Sequence, residues 1–127
     1  MATRPTFTSG EVFTAANANI LASSIVALNT QAGTAYTAAL TDVGKLINFT
    51  SGTAIAFTLP TNATVAFSVG DQINIYQAGT AQATITPAAT VTVRSSGSKL
   101  KTKDQFSVAT CIKIDTNEWI ALGNLKA

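Results

Sequence analysis

The side chains able to do chemistry in this chain are few, and their spacing gives them little to work with. Histidine is absent from the 127 residues, which removes the commonest general base and the commonest metal ligand. The acids are Glu11, Asp42, Asp71, Asp104, Asp115 and Glu118. Most stand at predicted turns beside Gly or Thr, where a carboxylate bonds the local backbone. Asp115 and Glu118 flank one turn and can be imagined as a catalytic pair, but an ordinary polar turn explains them as well. Asp115-Thr116-Asn117-Glu118 is too sparse in oxygen ligands for a calcium loop. Cys111 is the single cysteine, so no internal disulfide forms. Between Thr110 and Ile112 it reads as a small buried hydrophobe, and a nucleophilic cysteine would want a histidine beside it. Gly70 and Gly79 are isolated and make no phosphate-binding loop. These residues give no positive sign of an enzyme, a bound metal or a cofactor.

The elements that would carry them are mostly strands. In Phe106 to Gly123, Phe106, Val108, Ile112 and Ile114 alternate with polar or small residues, the period of a half-buried strand. Asp115-Thr116-Asn117 turns the chain into Trp119-Ile120-Ala121-Leu122. The same reading predicts strands at Tyr36–Leu40, Leu46–Thr50, Ile55–Leu59, Gln72–Gln77, Gln82–Thr86, Thr90–Arg94, Phe106–Ile114 and Glu118–Leu122. Gly, Pro, Asn, Asp and Ser punctuate them. Short strands at this spacing predict a mainly β fold, an antiparallel β-sandwich or small barrel over residues 33–127. No tandem repeat is evident, and the recurring Thr84-Ile85-Thr86 and Thr90-Val91-Thr92 units are explained by strand propensity.

Two other segments precede that domain. Residues 1–13 read as an extended arm carrying Phe7, Val12 and Phe13, an apolar set suited to docking on the chain's own sheet, on a neighbouring subunit or on another component. Residues 14–32 read as a short helix with Thr14 as its N-cap. Ala18, Leu21, Ile25, Leu28 and Ala32 fall at spacings of three and four, a seam of about two heptads. A helix this short is marginal alone in water. Leu21, Ile25 and Leu28 therefore need a partner: the chain's own β-domain or the same helix from other subunits. Gly33 ends it.

Composition bounds the class. One domain is expected at this length. Apolar residues make up 46%, much of it Ala, and charged residues only 11%, against about 25% in ordinary soluble domains. A chain so poor in large apolar residues and in charge suits packing against copies of itself, or a life outside the cell. The net charge is +2, with Arg94, Lys99, Lys101 and Lys103 close together. That cluster reads as a solvated loop or strand edge rather than a nucleic-acid footprint, which wants more charge and interleaved aromatics. No apolar run reaches the length of about 18 residues needed to cross a bilayer, so no membrane insertion is expected. The N-terminus lacks the apolar stretch of a secretory signal, which points to synthesis in a cytoplasm. Trp119, Tyr76 and Tyr36 are candidates for stacking on a sugar ring; packing in the core or between subunits is the simpler reading.

Two segments carry a resemblance. Thr6 to Leu21, TFTSGEVFTAANANIL, resembles the opening of small structural proteins of tailed bacteriophages. The matching residues are Phe7, Thr8, Gly10, Glu11, Val12, Thr14, Ala15, Ala16 and Asn19. Many relatives have an acidic residue at the place of Asn17, which would complete a capping box with the threonine. The remainder resembles a β-rich domain found at the C-terminal ends of phage tail-fibre and virion proteins. Its cues are Asp42-Val43-Gly44-Lys45, Leu59-Pro60, Phe67-Ser68-Val69-Gly70, Gln72-Ile73 and Thr116-Asn117-Glu118-Trp119. Such domains are typically trimeric, and the family supplies no catalytic residues. The resemblance implies a virion structural protein assembled in the host bacterial cytoplasm. It would be a homotrimeric minor tail or fibre-like component held to other phage virion proteins, tail or capsid, by its N-terminal arm. Capsid decoration at lattice junctions is the alternative within that class, and binding of a host surface glycan is the alternative outside it.

Overall fold

The computed structural model describes residues 27–127. Eleven strands run in the order β1 (Leu28–Gln31), β2 (Ala35–Thr37), β3 (Leu46–Phe49), β4 (Ile55–Leu59), β5 (Gln72–Gln77), β6 (Ala83–Pro87), β7 (Thr92–Ser95), β8 (Lys101–Thr102), β9 (Val108–Asp115), β10 (Glu118–Gly123) and β11 (Leu125–Lys126). Single turns of 3-10 helix stand at Leu40–Asp42 and Ser96–Ser98. The expected arm and most of the expected helix, with Phe7, Val12, Phe13, Leu21 and Ile25, lie outside the described residues. The end of that helix does not: Leu28–Gln31 is a strand, in parallel register with β3 through Leu28↔Leu46 to Gln31↔Phe49. Its residues alternate between exposed and half-buried, a period-two pattern that the coincident three-and-four spacing of Leu21, Ile25 and Leu28 conceals.

Both sheets are mixed. The six-stranded sheet runs β1-β3-β5-β9-β10-β7 and the five-stranded sheet β11-β8-β6-β4-β2. The expected all-antiparallel arrangement fails because β1, β3 and β5 are parallel to one another, as are β2, β4 and β6, and β7 is parallel to β10. Antiparallel pairing begins with β8 and β9. Each sheet keeps two open edges among the described strands, so they form no closed barrel.

The route of the chain explains the parallel pairs. Odd and even strands alternate between sheets from β1 to β8, so the first six strands wind as three stacked coils. Parallel neighbours in one sheet usually need a long crossover; here the crossover is a strand of the other sheet. The bends that carry the chain across each contain a Gly-Thr-Ala triplet: Gly33-Thr34-Ala35, Gly52-Thr53-Ala54 and Gly79-Thr80-Ala81. The returns into β3 and β5 repeat Val43-Gly44-x-x-Ile47-Asn48 as Val69-Gly70-x-x-Ile73-Asn74. The chain therefore does contain an internal repeat, in the bends rather than in the Thr-Ile-Thr strand units. Successive bends bond directly: Thr50 N donates to Gln31 O at 3.1 Å, and Gly79 N to Phe49 O at 2.9 Å. A Cβ on Gly79 would stand 2.3 Å from Ser51 O and 2.5 Å from Thr50 O, so the third bend seats on the second only without a side chain.

The core lies between the sheets. Ile47, Phe49, Ile73, Ile75, Cys111 and Trp119 come from the six-stranded sheet, and Ile55, Phe57, Leu59, Ala83 and Ile85 from the other. Phe49 and Phe57 meet edge to face across it, ring centres 5.8 Å apart. Tyr36 stacks on Phe57 at 6.5 Å. The β9–β10 hairpin turns at Thr116-Asn117, as expected, and a register shift beside Glu118 marks a bulge there.

Candidate functional site

Four places merit description as sites: three clusters of buried polar groups and one apolar sheet face.

The first cluster closes the first coil. Asp42 is fully buried in the 3-10 turn that follows β2. Its Oδ1 accepts from Asn29 Nδ2 at 2.7 Å, and its Oδ2 from the Tyr36 hydroxyl at 2.6 Å and from Ala39 N at 2.8 Å. Asn29 also donates to the Tyr36 hydroxyl at 2.9 Å, and Gln31 Nε2 donates to Asn29 Oδ1 at 2.8 Å. Asn29 is on β1, Tyr36 on β2, so one carboxylate ties the first strand of each sheet together. Desolvation pushes the Tyr36 phenol up to about 12, helped by its bond to Asp42 and by that carboxylate's charge, while the bond from Asn29 works against it. The two oxygens of Asp42 are thus spent on three donors.

The second cluster centres on Lys113, buried on β9. Its Nζ donates to Asn62 Oδ1 at 2.7 Å and to the Phe67 carbonyl at 2.8 Å. Desolvation lowers its pKa, and the charge of Asp71 opposes that shift. Asn62 N in turn donates to Asn117 Oδ1 at 2.8 Å. The loop between β4 and β5 is thus pinned to both β9 and the hairpin turn. The third cluster joins the sheets: Thr102 Oγ1 on β8 donates to Gln77 Oε1 on β5 at 2.5 Å and accepts from Ala83 N at 2.9 Å.

The fourth place is the outer face of the six-stranded sheet. Alternation puts Leu28, Leu46, Tyr76, Val108, Ile112, Ile114, Ile120 and Leu122 outward. Val108, Ile114 and Leu122 are 40%, 41% and 50% exposed, and Phe106 adjoins them at 64%. Registers Tyr76↔Val108 and Ile112↔Ile120 make the apolar residues cross-strand neighbours on β5, β9 and β10. The ion pair of Arg94 with Glu118 lies at the β7 margin.

The residues singled out from sequence fare differently. Trp119, a candidate ligand contact, is 1% exposed and packs edge to face on Phe67 with ring centres 5.2 Å apart. The pleat turns it inward beside Ala121, so its ring faces no ligand. Tyr76 is half-buried on the outer face. Leu28, a candidate for the oligomer seam, is exposed on β1 rather than on a helix. Cys111 is fully buried, and desolvation pushes its thiol up to about 12. Asp115 and Glu118 are register partners across the hairpin end, and Glu118 is spent on Arg94. No group of three or more His, Cys, Asp or Glu capable of holding a metal occurs among the described residues. An open hollow of about 200 Å³ lies between Ser95, Lys99, Leu122 and Leu125; the Ser95 hydroxyl there already donates to Lys99 O at 2.5 Å. Sequence reasoning missed Asn29, Asp42, Asn62 and Lys113. Their signal was faint: Asp42 reads as turn punctuation, and Lys113 sits at an inward-facing position of an alternating strand, where a charge is anomalous.

Comparison with protein-family models, with curated proteins and with solved structures gives no match.

Proposed function

We propose that this chain is a structural protein of a tailed-bacteriophage virion: a trimeric minor tail or fibre-like component. Its N-terminal arm, residues 1–13, attaches it, and its sandwich-like β-domain projects from the particle. The observation that carries this reading is where the buried polar groups are spent. Asp42, Lys113, Gln77 and Thr102 all hold strands, bends and loops to one another, which is the economy of a rigid building block. The scarcity of charge and the apolar arm support the same reading, as does the resemblance of Thr6 to Leu21 to small phage structural proteins. The glycan-binding alternative loses its strongest residue with Trp119 in the core.

Particle composition tests the proposal. Purified virions of the encoding phage are expected to contain a few copies of the chain, placed on the tail by cryo-electron microscopy. Hundreds of copies on the head would replace the tail assignment with capsid decoration. Absence from the particle would sink both.

A further inference from the structure

We infer that the outer face of the six-stranded sheet is where one copy of this chain packs on another. The inference rests on the structural-protein reading above and adds to it the surface that self-association uses.

The two outer faces of the molecule are unlike. Across the five-stranded sheet, one row reads Ala35, Ala56, Thr84, Lys101, Lys126, and the next Thr37, Thr58, Thr86. Those side chains are small or charged, and lysine on the β8 and β11 strands opposes edge-to-edge pairing. The opposite face carries Val108, Ile112, Ile114, Ile120 and Leu122 on the neighbouring strands β9 and β10, with Tyr76 opposite Val108 and the bonded pair Asn74–Thr110 set among them. Isolated surface apolar residues need no explanation, but a continuous patch rimmed by polar groups marks a contact surface.

Two observations favour a second copy as the occupant. The first is charge. The outward positions of β1, β3, β5, β9, β10 and β7 hold Glu118, Arg94 and, opposite Glu118 at the hairpin end, Asp115 as their charged side chains, and Glu118 and Arg94 pair with each other. A face whose one unpaired charge stands at its hairpin end meets its own copy with little repulsion. The second is size. Six strands about 4.8 Å apart and roughly 20 Å long give a footprint of the order of 600 Å² before surface relief is counted. A stable pair buries about 800 Å² on each partner, so the face is of the right extent for a whole subunit.

The test uses the full chain. Light scattering coupled to gel filtration is expected to give a mass above one subunit. The double variant Val108→Asp/Leu122→Asp should fall to the monomer, with dissociation roughly a hundredfold easier or more, and keep its far-ultraviolet circular dichroism. Thr37→Asp/Ala56→Asp, on the other sheet, should leave the mass unchanged. Retention of the full mass by the Val108/Leu122 variant would overturn the inference. If Leu21→Ser/Ile25→Ser then dissociated the assembly, self-association would stand and only the face would be wrong. A monomeric wild type would also overturn it. Membership of the virion is tested separately by particle composition.

Discussion

Tyr36 donates to Asp42 at 2.6 Å across the gap between a strand and the turn that follows it. The bond matters because Asp42 is buried with no cation beside it among the described residues, and Tyr36, Asn29 and the Ala39 amide share the work of replacing its water. Asp42→Ala leaves the Tyr36 hydroxyl and the Ala39 amide without an acceptor and Asn29 with one fewer, and should cost roughly 3 kcal/mol or more, read as a lower urea midpoint at unchanged slope. Asp42→Asn keeps the volume but turns a donor toward donors, and should recover little. Asp42→Ala stability within about 0.5 kcal/mol of wild type would show that the network does not fasten the first coil.

The same pair sets an alkaline limit. Tyr36 has its folded pKa raised from 10.0 to about 12, so the folded state holds the phenolic proton more tightly than the unfolded chain does. Its contribution to stability is complete below pH 10 and is lost as pH rises toward about 12. Ultraviolet titration of the folded protein should resolve one of the two tyrosines near 12, and Tyr36→Phe should remove that step. A Tyr36 phenol titrating near 10 would contradict the buried bond.

Lys113 behaves in the opposite sense. Its folded pKa is lowered below the usual 10.5 by desolvation, so the unfolded chain binds its proton more readily. Stability from this group is suppressed at neutral pH and rises as pH climbs through the lowered pKa toward 10.5. Lys113→Met should abolish that rise. It also leaves Asn62 Oδ1 and the Phe67 carbonyl without their donor, which should loosen the loop between β4 and β5 and expose its amides to faster hydrogen exchange. Equal pH dependence in the variant and the wild type would remove Lys113 as its source.

Much of this architecture was legible from alternation alone. Ile55–Leu59 and Gln72–Gln77 were bounded correctly, and the β9–β10 hairpin was recognised with its turn, because a side chain's in-or-out preference is written residue by residue. What alternation does not encode is the direction of the neighbouring strand. The parallel coils follow from the bends, and a lone Gly33, Gly52 or Gly79 says that the chain turns, not that the three bends stack. Short strands such as Lys101–Thr102 and Leu125–Lys126 are too brief to show a period. Leu28 sat at a place where a helical spacing and a strand alternation coincide, and pairing with Leu46 decided between them. The candidate site was less legible. A buried Asp42 looks in sequence like any turn aspartate, and only the fold brings Asn29 and Tyr36 to it.

Two glycines from equivalent bends separate close packing from mere turning. A Cβ on Gly79 would collide with backbone oxygens at 2.3 and 2.5 Å, whereas at Gly33 the nearest atom is Ala35 O at 4.0 Å. Backbone oxygens cannot swing aside as a flexible side chain would. Gly79→Ala should therefore displace the third coil from the second and cost a few kcal/mol, in the range of overpacking. Gly33→Ala should stay within about 1 kcal/mol of wild type, with a gain from the stiffer unfolded chain. Thermal unfolding of the two variants side by side checks this; equal melting temperatures would mean that the bends do not stack as described.

Trp119 and Cys111 occupy the same interior from neighbouring strands, and both report on it without being engineered. Trp119 is the single tryptophan and lies edge to face on Phe67. Its emission should be blue-shifted and resistant to iodide, then move to the red on unfolding. Cys111, fully buried with its thiol raised to about 12, should ignore a thiol reagent at neutral pH in the folded protein, because the reactive thiolate is scarce and shielded. Its labelling rate should follow the fraction unfolded as denaturant is added. Trp119→Ala removes a large buried ring and should cost about 3–5 kcal/mol, with binding to any glycan, if found, changing only as the fold is lost. Strong iodide quenching of the native protein, or rapid labelling of Cys111 before the unfolding transition, would place these side chains outside the core and reopen Trp119 as a contact for a ligand.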